Sequence, residues 1–255
     1  MEMVLLTALG VGGASVFGAL LGFLFKKTTH RFSDIVMSFA AGVMLAAAVI
    51  GLVLPSLEYG GGGVTALLIT AVGVFCGAVC VTVLDKVTPH LHRLAGDANE
   101  ERHPAQQDKL NKVLLFVMAI AIHNLPEGIA AGVGFGTGDT GQAFTIAAGI
   151  ALQNIPEGMI IIGPMLAAGI RPWRTFLVAA ATGLVEVLGT LLGYAAVSFS
   201  TAVLPFALAF AGGTMLYVVS DEMVIETHAH GSERAATYAL LFGFCLMLAF
   251  DTLLG

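Results

Sequence analysis

Apolar residues in this chain run in long uninterrupted stretches instead of alternating with polar ones, and each stretch ends at a short polar or glycine-rich break. Eight stretches reach the roughly 20 residues that a helix needs to cross a hydrocarbon core of about 30 Å. They cover 3–25, 35–57, 64–84, 113–135, 142–168, 174–198, 203–223 and 235–254. Inside lipid every peptide group must bond within its own segment, so these stretches are predicted to be helices. The pattern predicts an all-α integral membrane protein with eight transmembrane helices, forming one domain over residues 1–255. The one sizeable polar segment, rich in charge and histidine, is expected to be a cytoplasmic loop at about 85–112.

Composition strengthens this picture. The chain is 57% hydrophobic and 11% charged, a combination that water-soluble domains do not show. The first span follows Met1, Glu2 and Met3 without a basic leader, so it is expected to be a retained spanning helix and not a cleaved signal. Cys76, Cys80 and Cys245 all fall within spans, without metal-finger spacing, and are expected to pack as small apolar residues.

All eleven basic residues fall on alternate connections: Lys26, Lys27 and Arg31; Lys86, Arg93, Arg102, Lys109 and Lys112; Arg171 and Arg174; and Arg234. Cytoplasmic loops carry such an excess, so these four connections are assigned to the cytoplasm and both termini to the outside. The net charge of −6 and the lack of any basic patch beyond these short loops point away from a nucleic-acid partner and leave the lipid bilayer.

The chain also repeats itself. Phe39-Ala-Ala-Gly-Val-Met44-Leu in the second span recurs as Phe210-Ala-Gly-Gly-Thr-Met215-Leu in the seventh, and the third and eighth spans end near Asp85 and Asp251. Spans 2 and 7 cross in opposite directions under the topology above. This implies a 3+2+3 arrangement, with helices 1–3 and 6–8 related as an inverted repeat around the central pair 4–5, the build of a secondary transporter.

The chemistry concentrates on that central pair. Span 4 holds His123-Asn124-Leu125-Pro126-Glu127-Gly128 and span 5 holds Gln153-Asn154-Ile155-Pro156-Glu157-Gly158, each at mid-span, so the motifs meet at the bilayer core. A charged group there costs about 2.5–3.5 kcal/mol on insertion scales unless it is paired, hydrated or coordinated. No Lys or Arg occupies a span centre, so a bound cation or a proton must neutralise Glu127, Glu157 and the third intramembrane carboxylate, Glu186. His123 and Glu127 stand four residues apart on one helix face, as do Gln153 and Glu157. Proline three residues after His123 and after Gln153 removes an amide donor and frees a carbonyl. Carboxylates, an imidazole and amides suit a borderline divalent ion such as Zn²⁺, Fe²⁺, Mn²⁺ or Cd²⁺, held singly or as two ions bridged by Glu127 and Glu157.

Met44 and Met215, at matched positions of the repeat, offer soft thioether contacts. Glu58 at the outer end of span 2, and Asp221, Glu222, Glu226, His228 and His230 at the inner end of span 7, form smaller polar clusters, as do Asp85, His90, His92 and His103 in the long loop. An embedded metalloenzyme or an ion channel using the same carboxylates is the alternative to a carrier. The enzyme reading lacks His-Glu-x-x-His, the paired Glu-x-x-His pattern and a separate nucleophile.

The paired Asn-x-Pro-Glu-Gly helices, with Phe-Ala-x-Gly-x-Met-Leu and Asp221-Glu-x-x-x-Glu-Thr-His228, resemble the ZIP family of divalent metal transporters, and within it the bacterial GufA-like branch. The resemblance covers essentially all eight spans. It implies a homodimeric, non-enzymatic carrier of a bacterial inner membrane that takes Zn²⁺, Fe²⁺, Mn²⁺ or Cd²⁺ as substrate into the cytoplasm, by an elevator-like slide of helices 1, 4, 5 and 6 against 2, 3, 7 and 8. It implies one metal site of His123, Glu127, Gln153 and Glu157, and a second of Asn124, Glu127, Asn154, Glu157 and Glu186. Met44, Glu58, Asp221, Glu222 and Asp251 are expected on the entrance pathway, and Asp85, His90 and His92 at the cytoplasmic exit. Close bacterial relatives carry Asp where this chain has Asn154 and His where it has Asp221. The first change is expected to weaken the second ion, and the second to harden a pathway contact toward Mn²⁺ or Fe²⁺.

Overall fold

The computed structural model describes the backbone of residues 1–24, 29–96 and 104–254, with side chains throughout except 85, 87–96, 104–112, 115, 116, 119, 201 and 254. Among the described residues there is no strand, and eight long helical segments follow one another. They are α1 (Glu2–Leu24), α2 (His30–Tyr59), α3 (Gly63–Gly96), α4 (Pro104–Gly134), α5 (Thr140–Ala167), α6 (Pro172–Phe199), α7 (Leu204–Thr227) and α8 (Glu233–Leu254). Over their described residues seven of these, all but α4, are long and apolar enough to cross a bilayer. The chain is therefore an all-α, multi-pass membrane protein.

Local sequence accounts for the boundaries. The turn after α2 is built by Gly61, Gly62 and Gly63 at φ 80°, 71° and 72°, where a side chain would be strained. Asp139 opens α5 by accepting from the amides of Gly141 and Gln142. The segment 85–112 differs from its expected loop: α3 runs on to Gly96 and α4 begins at Pro104. An established helix propagates cheaply through Leu, Lys, Arg and Ala, and proline is favoured in a helix's first turn. Two helices loosen into π turns along their length, α2 over Ala47–Val53 and α7 over Val219–Met223. Both loosened stretches lie just beyond the matched Met44 and Met215.

Packing divides the helices into two groups. Helix α1 lies against α5 and α6, and α4 against α6, whereas α3 lies against α7 and α2 against α8. Glycine permits this closeness, as is usual where helices associate in lipid. A Cβ at Gly18 would strike the Ile155 carbonyl, one at Gly158 the Ser15 carbonyl, one at Gly128 the Glu186 carbonyl and one at Gly189 the Leu125 carbonyl. Gly12 and Gly183 do this to each other. In the other group Gly42 meets the Leu240 carbonyl, Gly243 that of Phe39, Gly77 that of Phe210 and Gly213 that of Val74. Between the groups the tight glycine contacts are with side chains, Gly51 on Ile146 and Gly149 on Met247. The contacts recur at one spacing: Gly12 and Gly183, Ser15 and Glu186, Gly18 and Gly189, Phe39 and Phe210, and Gly42 and Gly213 are each 171 residues apart.

Polar contacts sort the connections to two ends. The Ser56 hydroxyl donates to the Pro205 carbonyl at 2.7 Å and pairs with Thr70 at 2.8 Å, and the Tyr59 hydroxyl donates to the Thr137 carbonyl at 3.0 Å. These join the α2–α3, α4–α5 and α6–α7 connections. At the opposite end His230 lies 3.1 Å from Asp34 and its ring stacks on His30, centroids 4.9 Å apart, joining the start of α2 to the α7–α8 connection. Arg31 and Arg234 flank these residues.

Candidate metal centre

The paired motifs come together as expected. His123, Asn124 and Glu127 on α4, Gln153, Asn154 and Glu157 on α5, and Glu186 on α6 are all buried, none more than 8% exposed. The glycines that close each motif make this possible, because Gly128 lets the α6 backbone approach at Glu186 and Gly158 lets α1 approach at Ser15. Glu186 is thereby carried to the two asparagines. Its Oε1 accepts from Asn124 Nδ2 and from the Ser15 hydroxyl, both at 2.6 Å, and its Oε2 accepts from Asn154 Nδ2 at 2.6 Å. The asparagine amides also donate to main-chain carbonyls, Asn124 to Thr182 at 3.2 Å and Asn154 to Val11 at 3.3 Å.

On the other side of these amides lies a set of buried polar atoms without hydrogen bonds. They are Asn124 Oδ1, both Glu127 oxygens, both polar atoms of the Gln153 amide and Asn154 Oδ1, so five acceptors stand against the single donor Gln153 Nε2. Unpaired buried acceptors are expensive, by about 1–3 kcal/mol each and more when charged. Glu127 also faces the like charges of Glu157 and Glu186, and His123 stands beside Glu157. The donor set fits a divalent cation. Among the described residues no group of three or more His, Cys, Asp or Glu side chains is placed to hold an ion by itself.

A cavity of about 310 Å³ leads from His123 and Glu157 between α4, α5 and α7, lined further by Asp221, Glu222 and Glu226. His123 Nε2 lies 2.8 Å from Glu222 Oε1, so the imidazole spans from the central carboxylates to the cavity wall. The expected pathway residues are thereby redistributed. Asp221 and Glu222 share the end of the bundle that holds His30, Asp34 and His230, whereas exposed Glu58 and half-buried Asp251 stand at the other ends of α2 and α8. The resemblance had grouped all four on the entrance side; the direction of α7 separates them. Met44 and Met215, each 1% exposed, fill the hydrophobic core and do not line this cavity, because they point at the neighbouring apolar helices.

His228 bridges the Val224 carbonyl (2.8 Å) and Thr237 (3.1 Å), fastening the α7–α8 connection. Cys76 and Cys245 are exposed on the bundle's outer face and Cys80 is half-buried, so the first two pack against surroundings outside the chain. The side chains of Asp85, His90 and His92, and His103 altogether, lie outside the described residues. Ser15 was not among the sequence candidates. Its only sequence signal is the 171-residue spacing to Glu186, the same as that of the Phe-Ala-x-Gly repeat.

Residues 86–251 match the family model described as ZIP Zinc transporter. The chain is 39% identical to the zinc transporter ZIPB of Bordetella bronchiseptica, over 96% of this chain and 81% of that protein. It is 41% identical to the zinc transporter GufA of Myxococcus xanthus over 80% of each, and 30% identical to human zinc transporter ZIP11 over 95% of this chain and 94% of that one. A polytopic bundle with carboxylates and amides buried at mid-depth is the build of a membrane carrier for cations. The chain belongs to the ZIP zinc transporter family.

Proposed function

We propose that this protein carries Zn²⁺ into the cytoplasm through the centre formed by His123, Glu127, Gln153 and Glu157, with Cd²⁺, Fe²⁺ and Mn²⁺ as competing substrates. The observation that carries the reading is the excess of buried, unbonded acceptors around Glu127, five against the single donor Gln153 Nε2, open through a carboxylate-lined cavity to one end of the bundle. An arriving divalent ion neutralises Glu127 and Glu157; protonation of these groups helps to eject it inward. His123 joins that centre to Glu222, so the ion passes between ligands without full rehydration. The names of the relatives support zinc as the substrate.

The architecture in this reading is eight spanning helices in a 3+2+3 inverted repeat, moving as an elevator in a bacterial inner membrane with both termini outside. Its support is the recurrent 171-residue spacing of equivalent contacts and the matched π turns. Backbone-tight glycine contacts join α1 to α5 and α6, α4 to α6, α2 to α8 and α3 to α7, while side chains alone fill the tight glycine contacts between the two groups. Such contacts support sliding at the boundary between the groups. Arg31 and Arg234 flank the end to which the cavity opens, which supports reading that end as the cytoplasmic one and the cavity as inward-facing.

The test is uptake of radioactive ⁶⁵Zn²⁺ by proteoliposomes, with unlabelled Mn²⁺, Fe²⁺, Cd²⁺ and Mg²⁺ as competitors. Saturable uptake that vanishes in the His123→Ala/Glu127→Ala variant is expected. Tight binding without uptake would refute transport, and unsaturable, weakly temperature-dependent flux would replace the carrier with a channel.

A further inference from the structure

We infer that the centre holds a single divalent ion, and that Glu186 is a positioning residue that aims two amide oxygens at that ion instead of ligating a second one. This rests on the transport reading above and deepens it.

The hydrogen bonds around Glu186 carry the argument. A ligating carboxylate must present lone pairs to the metal, yet Oε1 already accepts from Ser15 and Asn124 and Oε2 from Asn154, three contacts of 2.6 Å at a residue 0% exposed. Each carboxylate oxygen has two lone pairs, so Oε1 is saturated. Oε2 keeps one pair, next to the Asn154 amide that donates to it. The amide orientations follow from chemistry, because the groups that Asn124 and Asn154 also touch, the carbonyls of Thr182 and Val11, can only accept. Both NH₂ groups must therefore face α6 and α1, and both Oδ1 atoms must face away.

Those two oxygens are among the donorless acceptors, each next in sequence to His123 or Gln153 and three residues before Glu127 or Glu157. Glu186 thus acts on the ion through the asparagines, as carboxylates commonly orient the ligands of a metal from behind. Residue 154 decides between one ion and two. Asparagine supplies Oε2 with a donor, whereas aspartate would place a second carboxylate at hydrogen-bonding distance from Glu186, with no proton between them, and that pair needs a cation of its own. Ser15 brings α1 into the same node, so a single buried carboxylate ties α1, α4, α5 and α6.

The experiment counts Cd²⁺ bound per chain by equilibrium dialysis and elemental analysis of the full-length protein in lipid nanodiscs, taken as the difference from the His123→Ala/Glu127→Ala variant so that other sites cancel. We expect one Cd²⁺ in the wild type and one in Glu186→Gln with affinity lower by about 10–100-fold, the usual cost of losing an orienting partner. We expect two in Asn154→Asp. Ser15→Ala, which leaves the backbone contact with Gly158 intact, should keep one ion and weaken it less. Two ions in the wild type that fall to one in Glu186→Gln without loss of affinity would overturn the inference and leave the transport reading standing. A single ion in Asn154→Asp would overturn the role given to residue 154, and no bound ion in the wild type would remove both readings.

Discussion

Replacing Gly158 by alanine tests the glycine packing quantitatively. The added methyl would lie within 3.0 Å of three backbone atoms of Ser15 and Ala19 on α1, none of which can rotate away. Restoring ordinary contact of about 3.5–4.0 Å between carbon atoms requires α1 to shift by roughly 1 Å. Added to the 2.6 Å between the Ser15 hydroxyl and Glu186, that shift breaks the hydrogen bond. Overpacking costs about 1–3 kcal/mol. A lost hydrogen bond to a charged group adds about 1.5–3 kcal/mol. The sum is therefore about 2.5–6 kcal/mol. Gly149→Ala is the control, because its methyl meets only the Met247 thioether, Sδ at 2.6 Å and Cε at 2.9 Å. A flexible unbranched chain gives way, for less than about 1 kcal/mol. Thermal unfolding of both variants in one detergent, followed by circular dichroism, should show a large loss for Gly158→Ala and a small one for Gly149→Ala. Equal losses would refute the distinction between backbone-tight and side-chain-filled contacts.

Three further outcomes are expected. Glu157→Gln should abolish ⁶⁵Zn²⁺ uptake while the protein still inserts and purifies; near-normal uptake would remove Glu157 from the centre. Ser56→Ala, which deprives the Pro205 carbonyl and Thr70 of their partner, should lower stability by about 1–3 kcal/mol in a denaturation assay and leave the KM for zinc unchanged. Cysteines at Gly51 and Ile146 have Cβ positions 4.0 Å apart, within disulfide reach, and join α2 to α5 across the two groups. Oxidation should stop uptake and reduction restore it; undiminished uptake by the crosslinked protein would exclude sliding between the groups.

The central motifs were legible in the sequence because ionisable residues are conspicuous in an apolar span and because helix periodicity places residues four apart on one face. The spans were legible for the same reason, since hydrophobic length is a local property. The extension of α3 and the early start of α4 were not, because propagation of a helix beyond the bilayer leaves no hydrophobic signature. Nor was the pairing of His123 with Glu222, which are 99 residues apart and meet only through the packing of α4 against α7. Ser15 stayed hidden because a hydroxyl in a spanning helix usually bonds its own backbone, as Thr182, Thr190 and Thr214 do here. The matched methionines lie in the hydrophobic core, since a repeat constrains packing as strongly as it constrains chemistry.

The absence of lysine and arginine from the span centres has a consequence for how membrane voltage acts on the proposed carrier. One divalent ion against the three carboxylates Glu127, Glu157 and Glu186 leaves the moving centre with one net negative charge, so the inward step with cargo gains nothing from an inside-negative potential. Once emptied and ionised, the same centre carries three negative charges that the field pushes outward. At about 2.3 kcal/mol per charge per 100 mV for a full crossing, this is up to about 7 kcal/mol at 100 mV. Energy from the potential would then enter the cycle chiefly in the return of the empty protein, and depolarising the vesicles would slow the reset and not the capture of zinc.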